Sequence, residues 1–455
     1  MKKGSVLRLI VFAFACLNVL NYFFPFKPLF YLSIICLVYI LAVSLFTLPK
    51  ASSLVILGLL LCAGALMVYA RADLSQWMEG FGKNGLLVAL FTCGPLLHLP
   101  FTYEDYQSEL IHVARLYMHT MIPFNLLIAI PTHIFAALTG FAAFAIIYNL
   151  FLNTSKLYDA EDIFIATLGR SYSTSGFWGT SWVSAMLVVS ELHIPWHHLI
   201  LIGLLFTAVS VGVNLASIKL RMLRHPGKYP TLAADETTKV DWSRIRMMAY
   251  LALSIVLITL VINRTTGWNL LAIVPLVSFV LPPAIAVLQK KTKVLKMGLK
   301  AYFDNNLYKS RMEVCLFSVA GLLAYALEIS GVGAMIPKLI PQGLIGHTYL
   351  FVIALMLLVI LPGQLGIHPV AVGTTLIATI VPAAVGLSTY TFAMTIICAW
   401  LLSNMLSPFS ALNLTLAGLS GKSTLYTGLK LNWRYGLICI FLYAAMIVAL
   451  GPLWN

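Results

Sequence analysis

The sequence is dominated by apolar runs that are each about as long as a membrane-spanning helix. Such a helix needs roughly 20 predominantly apolar residues. Of the 455 residues, 60% are hydrophobic and only 10% are charged, whereas a soluble domain carries about 25% charged residues. This composition excludes a soluble enzyme, a disordered protein and a peripheral protein with a single anchor. It predicts an all-α polytopic membrane protein.

The apolar runs predict about 11 transmembrane helices. They lie near residues 6–24, 29–48, 53–70, 85–101, 121–151, 197–222, 245–264, 267–289, 311–332, 390–417 and 435–452. Two other apolar stretches, 158–194 and 347–388, are too long for one helix and are interrupted centrally by Gly, Pro and small polar residues. A broken backbone is tolerated at membrane depth only when it is buried in protein or lines a wet cavity. Each stretch therefore predicts a re-entrant helical hairpin.

Basic residues outnumber acidic residues by 29 to 15 and are concentrated in four segments. These basic segments, which hold 20 of the 29 Lys and Arg residues, are 1–8, 219–246, 290–311 and 422–434. Cytoplasmic loops of membrane proteins carry such an excess. The charge therefore indicates topology and not nucleic-acid binding. The seven cysteines lie in apolar runs without a CxxC pair, as small buried side chains do, and no cofactor is expected.

Three short motifs recur at nearly one offset, which predicts two structural repeats. Residues 91–97 resemble 279–285 at an offset of 188, and the motifs that begin at 137 and 176 recur at offsets of 191 and 190. The predicted organisation is two accessory helices in 1–52, a first repeat in 53–222, a cytoplasmic linker in 223–244, a second repeat in 245–417 and a C-terminal helix in 418–455.

Two observations disagree about the relative orientation of the repeats. The number of crossings per repeat favours a parallel arrangement. The amphipathic segments favour an inverted one, because 103–118 is acidic, as expected outside, and 290–308 is strongly basic, as expected in the cytoplasm. A broken helix can change the counted number of spans by one, so we give the charges more weight in deciding the orientation of the repeats. We therefore predict inverted repeats.

Polar groups are concentrated at the centres of the two predicted hairpins. At membrane depth such groups are expensive unless they bind something, and helix N-termini at a hairpin tip suit anions. The candidates for solute binding are Arg170, Ser173, Thr174, Ser175, Thr180, Ser181, Gln364, His368, Thr374 and Thr375. His368 could bind the solute, carry a proton or hydrogen-bond to the backbone.

The helices after the hairpins, 197–222 and 390–417, are also predicted to be broken. Pro408 frees backbone carbonyls, which together with Ser and Asn oxygens suit Na⁺ or a polar solute. The candidates for ion coupling are Ser210, Asn214, Asn404, Ser407, Ser410 and Asn413. A group of acidic and histidine residues in 191–198 fits an interfacial belt better than a metal site.

The order of these elements resembles the ion transporter superfamily of secondary transporters, which includes divalent anion/sodium symporters and gluconate and short-chain fatty-acid permeases. The likeness covers roughly residues 53–452. The matching positions are 175–181 and 366–371 in the hairpins, and 213–214 and 407–413 in the broken helices. The resemblance implies elevator-like alternating access, in which hairpins and broken helices move against a scaffold. It also implies a homodimer.

Together these features predict a secondary active transporter of the bacterial cytoplasmic membrane. It would move a small anionic organic solute, driven by a Na⁺ or H⁺ gradient, because the sequence has no nucleotide-binding motif. The alternative is an integral membrane enzyme, flippase or polymerase that acts on a lipid-linked substrate. A third hypothesis is a non-transporting subunit or sensor. The expected partners are the solute and the lipid bilayer, without nucleic acid.

Overall fold

Every regular element in the described part of the chain is helical, which confirms the predicted all-α polytopic class. The computed structural model describes residues 3–48, 50–139, 147–148, 151–152, 155–156, 158–179, 182–229, 231, 239–333, 335 and 341–454. Thr180 and Ser181, two candidates for solute binding, lie outside the described residues.

The helices follow the apolar runs of the sequence. In chain order they are α1 (Lys3–Phe23), α2 (Lys27–Thr47), α3 (Lys50–Tyr69), α4 (Leu74–Gly82), α5 (Gly85–Cys93), α6 (Tyr106–Tyr117), α7 (Met121–Thr139), α8 (Glu161–Thr174), α9 (Val183–Glu191), α10 (Trp196–Arg224), α11 (Trp242–Thr266), α12 (Leu270–Leu288), α13 (Thr292–Ala301), α14 (Leu307–Lys309), α15 (Arg311–Ile329), α16 (Gln342–Ile345), α17 (Thr348–Gln364), α18 (Pro369–Thr379), α19 (Thr389–Leu406), α20 (Ala411–Ser420) and α21 (Leu431–Leu450).

Ten stretches of the described residues are helical, long and apolar enough to cross a membrane, close to the number predicted. The run predicted at 121–151 contributes a shorter apolar helix, Met121–Ala137. The stretch Thr389–Ser420, which contains α19 and α20, is central, since 83% of its most apolar window is buried. The corresponding share for Trp242–Thr266 is 17%, so α11 lies at the periphery.

All four basic segments meet at one end of the helix bundle, which we name the basic end. The contacts that join them are those of Arg8 with Asp304 (2.9 Å), Glu104 with Lys291 (2.9 Å), Glu109 with Arg244 (3.4 Å), Asp159 with Lys228 (3.9 Å) and Asp162 with Tyr426 (2.7 Å). At the opposite end, Asn269 bonds to Tyr22 and to Ser190, and His198 bonds to Tyr390, each at 2.8 Å.

Both amphipathic segments lie at the basic end, which differs from the sequence prediction. Glu104, just before α6, pairs with Lys291, just before α13. The acidic residues of 103–118 serve as partners for basic residues of the neighbouring segments, and so their charge does not indicate the outer side. The charge of 103–118 therefore does not support inverted repeats, and the orientation of the repeats stays a prediction.

The segment 158–194, predicted to be a re-entrant hairpin, crosses the bundle instead. The first turn of its first arm, α8, contains Asp162, which lines a cleft together with Arg221 near the end of α10. Its second arm, α9, ends beside Ser190 at the opposite end, five residues before α10 begins. Because α10 has 29 residues, its two ends are about 43 Å apart. Helix α8 ends at Thr174 and α9 begins at Val183, so the helix is interrupted within the segment, as predicted, but the chain continues across the bundle instead of turning back.

The segment 347–388 consists of two arms, α17 and α18, that contact each other and are separated by a turn at 365–368. Gly366 has a positive φ of 91°, which glycine adopts readily. The turn lies against the interruption between α19 and α20, because the Oγ of Ser407 donates a hydrogen bond of 2.6 Å to the carbonyl of Gly363. This contact joins the end of α17 to the break, while Leu365 in the turn is exposed.

The helix predicted to be broken at Ser210–Ser217 is continuous. Helix α10 runs from Trp196 to Arg224 without interruption. The Oγ of Ser210 donates to the carbonyl of Phe206, one helical turn earlier, so this hydroxyl is satisfied within the helix. Small polar residues without proline do not by themselves end a helix, and this part of the prediction is wrong.

Candidate functional site

The interruption between α19 and α20 exposes backbone and side-chain oxygens inside the protein. Helix α19 ends at Leu406, and α20 begins after Ser410, whose Oγ accepts a hydrogen bond from the N–H of Asn413 (3.1 Å). Pro408 lies between them and has no N–H to offer. The side-chain Nδ2 of Asn413 donates to the carbonyls of Met405 and Ser407, each at 2.9 Å. The amide of Asn413 therefore holds the break in a defined shape.

Three oxygens near this break have no hydrogen-bond partner among the described residues. They are the Oδ1 of Asn413, the Oγ of Ser403 and the Oε1 of Gln364. Asn413 and Ser403 are 0% exposed. Unpaired buried polar atoms are costly unless they bind something, and neutral oxygens at a helix break are typical ligands of Na⁺ in transporters. We name this group the oxygen cluster.

A second polar group surrounds Arg170, on α8. Its guanidinium donates to Asn432 Oδ1 (2.9 Å), to Asn214 Oδ1 (2.7 Å) and to the carbonyl of Leu431 (3.0 Å). The ring of Tyr435 lies 4.4 Å from the guanidinium carbon. Arg170 is only 8% exposed, so its charge is held inside the protein by neutral groups.

Further amides extend this arginine cluster across three helices. Asn214, on α10, donates its Nδ2 to the Oδ1 of Asn125 on α7 (2.8 Å). Asn125 in turn bonds to the hydroxyl of Thr167 on α8. Asn125 and Thr167 are 0% exposed. The predicted ion-coupling residue Asn214 thus contacts Arg170, and not the oxygen cluster.

The arginine cluster borders a cleft that opens at the basic end. The cleft encloses about 270 Å³ including space open to solvent, but the centre of a water molecule can occupy only about 20 Å³ of it, so a solute enters only if the cleft widens. Its polar lining residues are Asp162, Thr167, Arg170, Asn214, Ser217 and Arg221. A small solute could therefore approach Arg170 from the basic end.

The C-terminal segment connects the two clusters through hydrogen bonds. Asn432 accepts from Arg170 and donates its Nδ2 to the carbonyls of Thr427 (2.8 Å) and Gly428 (3.1 Å). The hydroxyl of Thr427 donates to the carbonyl of Asn413 (3.3 Å). Thr427 and Gly428 belong to a π-helical turn, Tyr426–Lys430, and π turns are frequent at functional sites.

The remaining candidates from the sequence lie in other local arrangements. Hydroxyls that donate to backbone carbonyls are those of Ser173 (to Leu401), Thr174 (to Arg170), Ser175 (to Tyr172), Thr374 (to Val370) and Thr375 (to Ala371). The Nδ1 of His368 accepts from the N–H of Val370 and caps α18, so its observed bond is to the backbone. The backbone carbonyl of Asn404 accepts a bond of 3.4 Å from Asn413.

Sequence analysis did not single out Asn125, Thr167 or Asn432. Asn125 and Thr167 are single polar residues in apolar runs, and Asn432 lies between Lys430 and Arg434. A single polar residue in a membrane helix most often hydrogen-bonds to a neighbouring helix. The signal that could have found them is their shared depth along neighbouring helices, which requires knowing which helices are adjacent.

Comparison with known proteins supports a transporter fold. No family model matches the sequence, and no curated protein matches it. The fold is similar to that of the Alcanivorax borkumensis YdaH transporter, whose crystal structure is described as revealing an unusual topology. The TM-score is 0.52 and the identity 13%, over 88% of this chain and 98% of that chain. The chain therefore has a transporter-like fold.

Proposed function

We propose that this protein is a secondary active transporter that moves a small anionic organic solute, driven by a Na⁺ or H⁺ gradient. One observation carries the proposal: hydrogen bonds through Thr427 and Asn432 link the backbone carbonyl of Asn413, a residue of the oxygen cluster, to Arg170. The first cluster has the chemistry to bind a cation, and the second has the chemistry to bind an anion. A cation and an anionic solute that bind along one connected network can influence each other's affinity.

The movement that we propose is elevator-like alternating access. The turn at 365–368 and the break at 407–410 contact each other through Ser407 and Gly363 and would move together. We propose α17 and α18 as a re-entrant hairpin and the peripheral helices, such as α11, as the scaffold. A homodimer and a place in the bacterial cytoplasmic membrane, with the basic end inside, belong to the same proposal.

The experiment that tests this function is flux into liposomes that contain the purified protein. A panel of labelled solutes (acetate, succinate, citrate, benzoate, glucose and glutamine) is offered under an inward Na⁺ gradient, a proton gradient or neither. We expect uptake of an organic anion that depends on one gradient. Uptake of no solute under either gradient would refute the proposal.

Matched asparagine variants test the role of the oxygen cluster. Asn413→Ala removes an amide that holds the break open, and we expect at least a tenfold loss of gradient-driven uptake, about 1.4 kcal/mol of interaction. Asn263→Ala is the control, because Asn263 bonds to the carbonyl of Trp268 at the opposite end of the bundle. Equal uptake by the two variants would remove Asn413 from the site.

A further inference from the structure

The charge of Arg170 is not neutralised by the protein. The oxygens that accept from its guanidinium belong to Asn432, Asn214, Ser217 and the backbone of Leu431, and all are neutral. No carboxylate pairs with Arg170 within the described ranges. A buried charge without a counter-ion is expensive. An anion that enters the cleft would relieve this cost.

One donor of the guanidinium remains available for such an anion. Arginine has five N–H groups, and the described acceptors take four bonds, one at Nε, two at Nη1 and one at Nη2. The second hydrogen of Nη2 is left. Arg170 lines the cleft together with Leu431, whose carbonyl accepts the other hydrogen of Nη2.

The charges around the cleft favour a solute with one negative charge. Arg170 and Arg221 line the cleft together with a single carboxylate, that of Asp162. The Oδ2 of Asp162 is held by the hydroxyl of Tyr426 at 2.7 Å. The lining thus carries one excess positive charge, which a monoanion balances.

We propose that Asn432, in the C-terminal helix outside both sequence repeats, is the residue that determines this anion specificity. Its neutral amide oxygen accepts from the Nε of Arg170 and fixes the guanidinium without cancelling its charge. A carboxylate at the same position would pair with Arg170 and leave nothing for the solute to neutralise. This inference rests on the proposed function, since it names the solute class of the same site.

Asn432 is well placed for this role because both ends of its amide are committed. Its Oδ1 accepts from Arg170, while its Nδ2 donates to the carbonyls of Thr427 and Gly428. The orientation of the amide is therefore fixed, with the oxygen toward the guanidinium. Asn432 is 1% exposed, so water does not screen this contact.

The test is the variant Asn432→Asp, probed by thermal-shift titration of the purified protein with acetate, benzoate, succinate and inorganic phosphate. We expect at least one monoanion to stabilise the wild type, and the variant to bind it at least about tenfold more weakly, or about 1.4 kcal/mol. Its unfolding temperature without ligand is measured first to show that it is folded, because Arg170 gains a charged partner while the carbonyls of Thr427 and Gly428 lose their donor. Asn263→Asp, the same change near the opposite end of the bundle, should bind as the wild type does.

Two further variants separate charge from structure. Asn214→Asp places a carboxylate on the Nη1 of Arg170 and should weaken anion binding in the same way, even if Asn432→Asp does not fold. Asn432→Ser shortens the side chain without adding charge, and its loss of affinity should be several-fold smaller.

Several outcomes would overturn the inference. One is unchanged anion affinity in a folded Asn432→Asp variant, and another is an equal loss in the Asp and Ser variants, which would indicate a purely structural role. A wild-type protein that none of the four probes stabilises would also overturn it. In that case, gradient-driven uptake of a neutral solute into liposomes would leave transport standing and only the anion specificity refuted.

Discussion

At the scale of single residues, the closest contact in the site is made possible by a glycine. A Cβ at Gly363 would lie 2.2 Å from the Oγ of Ser403, well below any real contact distance, and 3.5 Å from its Cβ. The absence of a side chain lets α17 approach α19 closely enough for Ser407 to bond to the carbonyl of Gly363. This glycine therefore sets the spacing between the turn and the break.

We expect Gly363→Ala to destabilise the protein by about 1–3 kcal/mol, the usual range for overpacking a core. Chemical denaturation monitored by tryptophan fluorescence measures the change. The double variant Gly363→Ala with Ser403→Ala should recover most of the loss, because only the hydroxyl of Ser403 collides with the new methyl group.

Gly58→Ala provides the control for this substitution. Nothing lies within 4 Å of a Cβ at Gly58, which is also in a helix, so the stability there should be unchanged or higher. If Gly363→Ala behaved as Gly58→Ala does, the close approach of α17 and α19 would be refuted.

Residues that break the backbone were easier to predict than residues that interact across helices. Pro408 has no N–H and disfavours a continuous helix, and the break after Leu406 lies beside it. Proline alone does not decide the matter, because α12 continues through Pro275, Pro282 and Pro283. Ser210 and Asn214 gave a false signal of the same kind, because a hydroxyl can bond within its own helix. Asn432 was missed because its role depends on Arg170, which is 262 positions away in the chain.

At the scale of elements, the amphipathic helix α6 begins with a charged cap. The carboxylate of Asp105 accepts hydrogen bonds from the hydroxyl (2.6 Å) and the backbone N–H (3.1 Å) of Ser108. These bonds hold the pKa of Asp105 below its ordinary value. At pH values above the ordinary pKa of a carboxyl group, the cap therefore stabilises α6. This stabilisation is lost as the pH falls through the lowered pKa of Asp105.

Replacing Ser108 with alanine should raise the pKa of Asp105 toward its ordinary value, because the larger of the two stabilising bonds is removed. The cap would then be lost at a higher pH than in the wild type. Titration of the ¹³C-labelled carboxyl of Asp105 by NMR measures the shift. Ser75→Ala, in α4, should leave this titration unchanged, and an unchanged titration in Ser108→Ala would contradict the cap.

Interruptions of elements were predictable from sequence, but the course of the chain beyond them was not. Glycine and small polar residues mark the break between Thr174, where α8 ends, and Val183, where α9 begins, and the turn at 365–368 between α17 and α18. Whether the chain then turns back depends on packing. The hydroxyl of Ser173 bonds to the carbonyl of Leu401, and the indole of Trp182 bonds to the carbonyl of Ala136. Neither partner is close in sequence.

At the scale of the whole molecule, the four basic segments define one face. Ion pairs hold four basic residues at this face, and two of the acidic partners lie in or near α6. The basic residues are Arg8, Lys291, Arg244 and Lys228. The count of charges predicts a cytoplasmic face, but only the contacts show that 103–118 belongs to it. A local acidic cluster that neutralises a basic neighbour looks, in sequence, the same as an external loop.

Cysteine labelling in intact cells tests this arrangement. In a variant without the native cysteines, Asp105→Cys and Lys293→Cys should both react with a membrane-impermeant maleimide only after the cells are permeabilised. Thr265→Cys, at the end of α11, should react in intact cells. Reaction of Asp105→Cys in intact cells would restore the opposite placement of the two amphipathic segments.

The unneutralised guanidinium of Arg170 also bears on the protein without a bound solute. A movement that carries Arg170 through the hydrocarbon core takes a net positive charge with it unless an anion travels too. That charge is costly in a low dielectric, and the membrane potential adds or subtracts about 2.3 kcal/mol per charge for each 100 mV. The protein without solute would thus be held on the side of the membrane where it releases the solute. Counterflow of one anion against another would then be fast, and net uptake would be limited by the return of the empty protein.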